Sequence, residues 1–221
     1  MIRGRSSQNV RAAVLLVLLP CLPATVGCAR AVDGVPTAVP GDAFPESADE
    51  LEALVVTEVP SGLPRLPDAE LDPPAGAKDV DDIADYSEDP SRERDVLERY
   101  GYRQGWERFW GSGSGGPMTG VFVDQFATRA GAGAYAEDLA RNDAEHYDGV
   151  LHDNPPELPG GCRMLTVDDP EAQAALGGPA ALAWCGHGPF SVSVTAVAES
   201  MAAAQEEVAA VVDEQLDRLP P

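Results

Sequence analysis

Four cysteines are the residues of this 221-residue chain whose positions most directly suggest chemistry. Cys28 follows Gly27 at the end of an N-terminal segment in which three arginines precede an unbroken apolar run over residues 12–19. Such a segment is typical of an export signal, and a small residue directly before a cysteine suits a lipoprotein signal peptidase. The pattern predicts cleavage before Cys28 and lipidation of its sulfur, with palmitate among the acyl chains.

A second outcome stays open for this segment. Thr25 stands where a bacterial lipobox usually has leucine, and residues 29–31 form an A-x-A site whose cleavage would discard Cys28 and release a soluble protein. A transmembrane anchor is not predicted, because the apolar run is shorter than the roughly 20 residues of a spanning helix. We therefore expect a protein held by lipid on the outer face of the cell membrane, with a secreted, soluble protein as the alternative.

The pair Cys162 and Cys185 is expected to form a disulfide, because an exported protein folds in an oxidising compartment. The two cysteines enclose 22 residues. Closing a loop of that size stabilises the fold by about 3 kcal/mol in the chain-entropy model. Zinc ligation is disfavoured, because the sequence offers neither a C-x-x-C pattern nor a histidine at the usual spacing.

The histidines are the residues that a metal-assisted hydrolase would use, namely His146, His152 and His187. Their spacing lacks the H-E-x-x-H pattern of a helical zinc site. The chain also lacks a G-x-S-x-G nucleophile elbow. We therefore expect no enzyme, no cofactor and no metal, and the hydrolase remains an alternative.

Aromatic residues cluster in one short stretch of a chain that is otherwise poor in them. Trp106, Trp110 and Tyr102 lie there together with Tyr100 and Phe109. Tryptophan and tyrosine are enriched at recognition surfaces, so the first three are candidate ligand-binding residues. Packing in the core is the competing interpretation and the favoured one, because alternating aromatic residues in a strand normally face the core.

The charge of the chain restricts its partners. Three of the fifteen basic residues and none of the 37 acidic residues lie before Cys28, so the processed chain has a formal charge of −25. This charge argues against nucleic acid, whose binding requires lysine and arginine at the phosphates, and against flat docking on anionic lipid. The expected partners are the membrane, through the lipid anchor, and either an envelope protein or a small apolar ligand.

Caps and hydrophobic periodicity divide the chain into a signal peptide at 1–27, a lipidated cysteine with a Pro- and Gly-rich tether at 28–48, and one domain at 49–221. Helices are predicted where a capping residue precedes an amphipathic run, and strands where residues alternate. The predicted helices span about 90–100, 128–147 and 200–219, and the predicted strands 102–110, 119–126, 162–167, 182–186 and 190–198. This order indicates an α+β fold, with an antiparallel sheet of about five strands, helices packed on one face, and a disordered tether before it.

Three stretches resemble a broad group of uncharacterised actinobacterial secreted lipoproteins. They are the Pro60-Ser61-Gly62 turn, the run from Gly101 to Trp110 with its G-[FY]-x-x-G-x-x-R-x-W pattern, and the alternating strand 121–126 followed by an alanine-rich helix. The resemblance covers residues 50 to 219. It implies an envelope location and an α+β sheet, and it implies no reaction.

These observations together predict a non-catalytic module that binds a ligand or a partner protein. A carrier of an apolar small molecule or lipid is a further alternative, because the alanines and glycines of the predicted helices permit either a cavity or close packing.

Overall fold

A computed structural model describes residues 44–221 except residues 114 and 168. The predicted signal peptide, Cys28 and the tether up to residue 43 lie outside the described residues. Within the described part of the chain, no helix is long and apolar enough to cross a membrane.

The helices begin and end at the signals that the sequence contains. Asp89 caps α3 and is followed by a proline at the first helical position, and Gly101 ends this helix in a left-handed conformation. Thr128 caps α4 and Ser200 caps α6, each by accepting a hydrogen bond from a backbone N–H of the first turn. The helices are α1 (Ala48–Glu52), α2 (Val80–Ala84), α3 (Pro90–Tyr100), α4 (Arg129–His146), α5 (Pro170–Leu176) and α6 (Met201–Arg218), and a 3-10 turn covers Asp68–Glu70.

The strands form a single antiparallel sheet in the order β1-β2-β3-β7-β6-β5-β4. They span β1 (Gly76–Lys78), β2 (Tyr102–Gly111), β3 (Met118–Phe126), β4 (Val150–Asp153), β5 (Cys162–Val167), β6 (Ala180–His187) and β7 (Phe190–Val197). The predicted α+β class is confirmed, but the sheet has seven strands and not about five. The two extra strands lie at the edges and have only three and four residues, too few for a periodic pattern to show.

Helices cover both faces of the sheet, whereas the sequence predicts helices on one face and does not assign the other. Met164 and Ala183 belong to an apolar cluster with α1 and α6, whereas their chain neighbours Leu165 and Leu182 pack against α4. A third cluster joins α2 and α3 to α4 on this second face. Both sides of the central strands are apolar, and each side therefore requires a helical layer.

Glycines let α4 approach its neighbours closely. A Cβ at Gly131 would collide with the carbonyl oxygen of Tyr100, and a Cβ at Gly186 of β6 would lie 3.2 Å from the Cα of Gly133. At Gly131 and Gly186 the absence of a side chain therefore serves close packing.

The folded domain begins before the predicted boundary at residue 49. The Phe44 ring packs on Phe190 at a centroid distance of 6.1 Å. The carbonyl oxygen of Pro45 accepts a hydrogen bond from Gln104 Nε2 at 3.2 Å, and Ser47 caps α1. Residues 44–48, assigned to the tether from their composition, are thus held on the domain by contacts with distant parts of the chain.

Candidate functional site

The predicted disulfide is present in the structure. Cys162 and Cys185 are directly opposite each other on β5 and β6, and their sulfurs are bonded. Both residues are at most 2% exposed and belong to the apolar cluster beneath α6. Cys28, the predicted lipidation site, lies outside the described residues and stays a prediction.

The candidate aromatic residues do not form an open surface. Trp106 and Trp110 are 8% and 1% exposed and pack in the cluster between the sheet and α6. Tyr102 lies on the other face, where its ring packs edge-on against Phe126. The structure therefore places the two tryptophans in the core and leaves Tyr102 partly buried against the third apolar cluster.

The three histidines lie on different elements. His146 ends α4, His152 lies on the edge strand β4, and His187 ends β6. His152 of β4 pairs with Met164 of β5, and Met164 in turn pairs with Ala183 of β6. His187 lies four residues further along β6 than Ala183. At about 3.3 Å per residue and 4.8 Å between strands, His152 and His187 are roughly 16 Å apart. The described residues hold no group of three or more side chains placed to share a metal ion.

A buried polar cluster, which sequence reasoning missed, lies on the α4 face of β1, β2 and β3. Lys78 is 6% exposed and its Nζ lies 3.3 Å from Oε2 of Glu107, which is 3% exposed. The Tyr86 hydroxyl donates to the same carboxylate oxygen at 2.9 Å. Asp124, 5% exposed, lies on the adjacent strand β3.

Gly105 makes room for the second carboxylate of this cluster. It lies between Lys78 and Asp124 in the sheet register. A Cβ at this position would be 2.5 Å from both Asp124 Oδ1 and the Tyr102 hydroxyl. A residue with a side chain would therefore displace one of these two groups, which meet in the space above the glycine.

Burial dominates the electrostatics of the cluster. The pKa of Asp124 is raised from 3.8 to about 7: burial is the largest cause, the charge of Glu107 adds to the rise, and the hydrogen bond from the Tyr102 hydroxyl opposes it. Burial also raises the pKa of Glu107, against the lowering effect of the Lys78 charge. Two carboxyl groups with raised pKa values are a common feature of acid–base sites. Here Lys78 and both carboxyl groups are each at most 6% exposed, so the arrangement has no access for a substrate.

The sequence did contain a signal for this cluster. Lys78 is the single lysine of the chain, beside fourteen arginines. In addition, Asp124 occupies an alternating position of a strand that is covered on both faces. Neither signal indicates burial by itself, because the pairing of β1 with β2 brings Lys78 into the sheet.

An accessible feature with a defined chemistry is a groove of about 360 Å³, which we call the tether-end groove. It lies where β2 begins, β3 ends and α4 starts, and Phe44, the first described residue, forms part of its wall. Arg103, Gln125, Thr128 and Arg129 also line it. None of its ten lining residues has a carboxylate side chain, although the chain has 37 acidic residues.

The groups at the tether-end groove are hydrogen-bond donors. Arg103 and Arg129 are exposed, and neither takes part in an ion pair of the described residues. Gln125 is 2% exposed, and its side-chain oxygen already accepts from Gln104 Nε2 at 2.7 Å. The groove therefore has the chemistry of an anion site.

A second, larger cleft of about 590 Å³ lies between α3 and α4 and is acidic. Its walls carry Glu88, Asp89, Glu93 and Asp138, and the Tyr100 hydroxyl donates a hydrogen bond to Asp138. The two depressions thus differ in charge.

Comparison with known proteins gives the family of the chain. No curated protein matches it. Among solved structures, the extracellular domain of PknH from Mycobacterium tuberculosis is similar at 13% sequence identity and a TM-score of 0.47, over 79% of this chain and 98% of that chain. A likeness of this degree carries no inference about function.

The family described as "Domain of unknown function (DUF7373) N-terminal" matches residues 63–220, which is most of the stretch for which a family resemblance was predicted. Because this match spans well over half of the sequence, the chain belongs to the DUF7373 family.

Proposed function

We propose that this protein is an extracytoplasmic lipoprotein, anchored through Cys28, whose domain is a non-catalytic binding module. The observation that carries the location is the disulfide between Cys162 and Cys185. Disulfides persist in oxidising compartments outside the cytoplasm, and the N-terminal segment has the features of an export signal. A lipid on Cys28 would keep the exported domain at the outer face of the membrane.

The burial of the ionisable cluster supports a non-catalytic role. Lys78 pairs with Glu107, and Asp124 meets the Tyr102 hydroxyl inside the fold, whereas a catalytic acid or base must come within hydrogen-bond distance of a bound substrate. The two carboxyl groups of the cluster, whose pKa values are raised, thus act on stability.

The alternatives have less support. The metal-assisted hydrolase would require the histidines to converge, and the strand register separates His152 from His187 by roughly 16 Å. The carrier of an apolar molecule would require a cavity beneath the helices, and Gly131 and Gly186 are in close contact with neighbouring backbone. A binding role through an exposed groove needs neither arrangement.

The mass of the mature protein tests this proposal. We expect the full chain, expressed in an actinobacterial host, to begin at Cys28, to carry the mass of a lipid adduct there, and to sediment with membranes. Cys162 and Cys185 should react with thiol reagents only after reduction. The matched control is Cys28→Ala, which we expect to remain unlipidated with its disulfide unchanged.

Two results would contradict the proposal. A mature chain that begins after residue 31 would make the protein secreted and soluble. A chain that still begins at Met1, with both later cysteines reactive, would place it in the cytoplasm.

A further inference from the structure

We infer that the tether-end groove binds the phosphate of an anionic membrane phospholipid and thereby orients the domain on the membrane. This inference rests on the proposed function in one respect, since the lipid on Cys28 is what brings the groove to the bilayer. The groove itself is argued from the described residues alone.

The donors around the groove fit a phosphate. Arg103 and Arg129 present guanidinium groups, which bind phosphate oxygens through paired hydrogen bonds. Thr128 marks the start of α4, an 18-residue helix whose positive end faces the groove. The positive charge of the two arginines and of the N-terminal end of α4 therefore favours an anion in the groove.

Gln125 provides a further hydrogen-bond donor at the groove, in addition to the two arginines. Its side chain lines the groove although it is 98% buried, and its oxygen is occupied by the hydrogen bond from Gln104. The amide nitrogen donates no hydrogen bond within residues 44–221 as described. This nitrogen is not one of the fully buried polar atoms that lack a partner, so it is accessible to solvent, and an anion in the groove would accept a hydrogen bond from it.

The position of the groove favours a lipid as the source of the phosphate. Phe44 lines it, and Cys28 precedes Phe44 by 16 residues in the chain. Sixteen residues span at most about 55 Å, which keeps this end of the domain near the headgroups. The Phe44 ring is 42% exposed, and an exposed aromatic ring beside arginines suits the membrane interface.

This binding mode is compatible with the strongly negative charge of the domain. The net charge opposes docking of a broad face on anionic lipid, but it does not oppose contact through one end that carries two arginines and no acidic side chain. Repulsion of the remaining surface would add to the orientation.

Vesicle binding of an unlipidated chain tests the inference. The probe is the chain from residue 28 with Cys28→Ser, mixed at low salt with vesicles of phosphatidylcholine alone or with phosphatidylglycerol added. We expect binding to the phosphatidylglycerol vesicles and a reduction of about ten- to thirtyfold in the double variant Arg103→Gln/Arg129→Gln.

The matched control changes the same net charge elsewhere. Arg92→Gln/Arg99→Gln removes two exposed arginines of α3 and should reduce binding less than twofold. Circular dichroism establishes that both double variants are folded.

Three outcomes would overturn the inference. Equal binding to both kinds of vesicle would exclude recognition of anionic phospholipid. Equal losses in the two double variants would show non-specific attraction. Complete competition by millimolar inorganic phosphate would identify a free phosphate ligand in place of the lipid. None of these outcomes depends on whether Cys28 is lipidated in the cell, which the mass measurement decides separately.

Discussion

Replacing Asp124 by asparagine should change how the stability of the domain depends on pH. Asp124 is 5% exposed, and burial raises its pKa to about 7, against 3.8 for an ordinary aspartate. Between these two values the folded protein binds a proton at Asp124 that the unfolded chain has lost. The contribution of Asp124 to the free energy of unfolding must therefore fall as the pH rises from about 4 to about 7.

The difference between the two pKa values sets the size of the effect. At about 1.4 kcal/mol per pH unit, ionised Asp124 costs ~4 kcal/mol above pH 7, and it costs nothing below pH 4, where both states are protonated. This figure is an upper limit, because the pKa of Glu107 in the same cluster is also raised by burial. Asparagine has nearly the shape of protonated aspartate and cannot ionise. The variant should thus match the wild type near pH 4 and exceed its stability by up to ~4 kcal/mol at pH 8.

Urea unfolding followed by tryptophan fluorescence at several pH values from 4 to 8 measures this difference. Burial also raises the pKa of Asp143 to about 6, but that contribution is common to both proteins and cancels in the comparison. Exposed Asp213→Asn is the matched control and should leave the pH dependence of the wild type unchanged. Parallel curves for the wild type and Asp124→Asn would refute the reasoning, since they would show that Asp124 is ionised in the folded protein at neutral pH.

Two other predictions concern the packing of the fold. The double variant Cys162→Ser/Cys185→Ser should lose about 3 kcal/mol of unfolding free energy in urea, as should the reduced wild type, and a loss near zero would contradict a stabilising role for the bond. Gly131→Ala should cost at least about 1–3 kcal/mol in the same assay, because its Cβ would collide with the Tyr100 carbonyl oxygen. Gly133→Ala is its matched control on the same helix: a Cβ there meets nothing within 4 Å, so the change should be neutral or stabilise by up to about 1 kcal/mol, and equal effects at the two glycines would contradict the packing.

The sequence predicts the burial of the aromatic residues but not the burial of the charged ones. The tryptophans of β2 were recognised as a cluster, and the structure gave them the role that strand alternation favoured, in the core. Lysine and aspartate are mostly exposed in folded proteins, so the sequence predicts that they lie on the surface. Lys78 and Asp124 departed from that expectation because strand register brought them beside each other around Gly105.

The local structure of the domain and the disulfide between Cys162 and Cys185 can be predicted from the sequence alone. The caps of α3, α4 and α6 and the alternation along β2 and β3 act over a few residues, so they are legible without the fold. The pairing of Cys162 with Cys185 followed because no other cysteines are expected in the exported domain.

The covered faces of the sheet, the position of its edges and the contacts between its polar groups depend on the tertiary fold. The edge strands β1 and β4 are too short to show a period and exist because longer strands pair with them. The tether-end groove likewise combines Phe44, Arg103, Gln125 and Arg129 from separate parts of the chain. These features depend on contacts between residues distant in sequence, and such contacts are fixed by strand order and register, which periodicity alone does not specify.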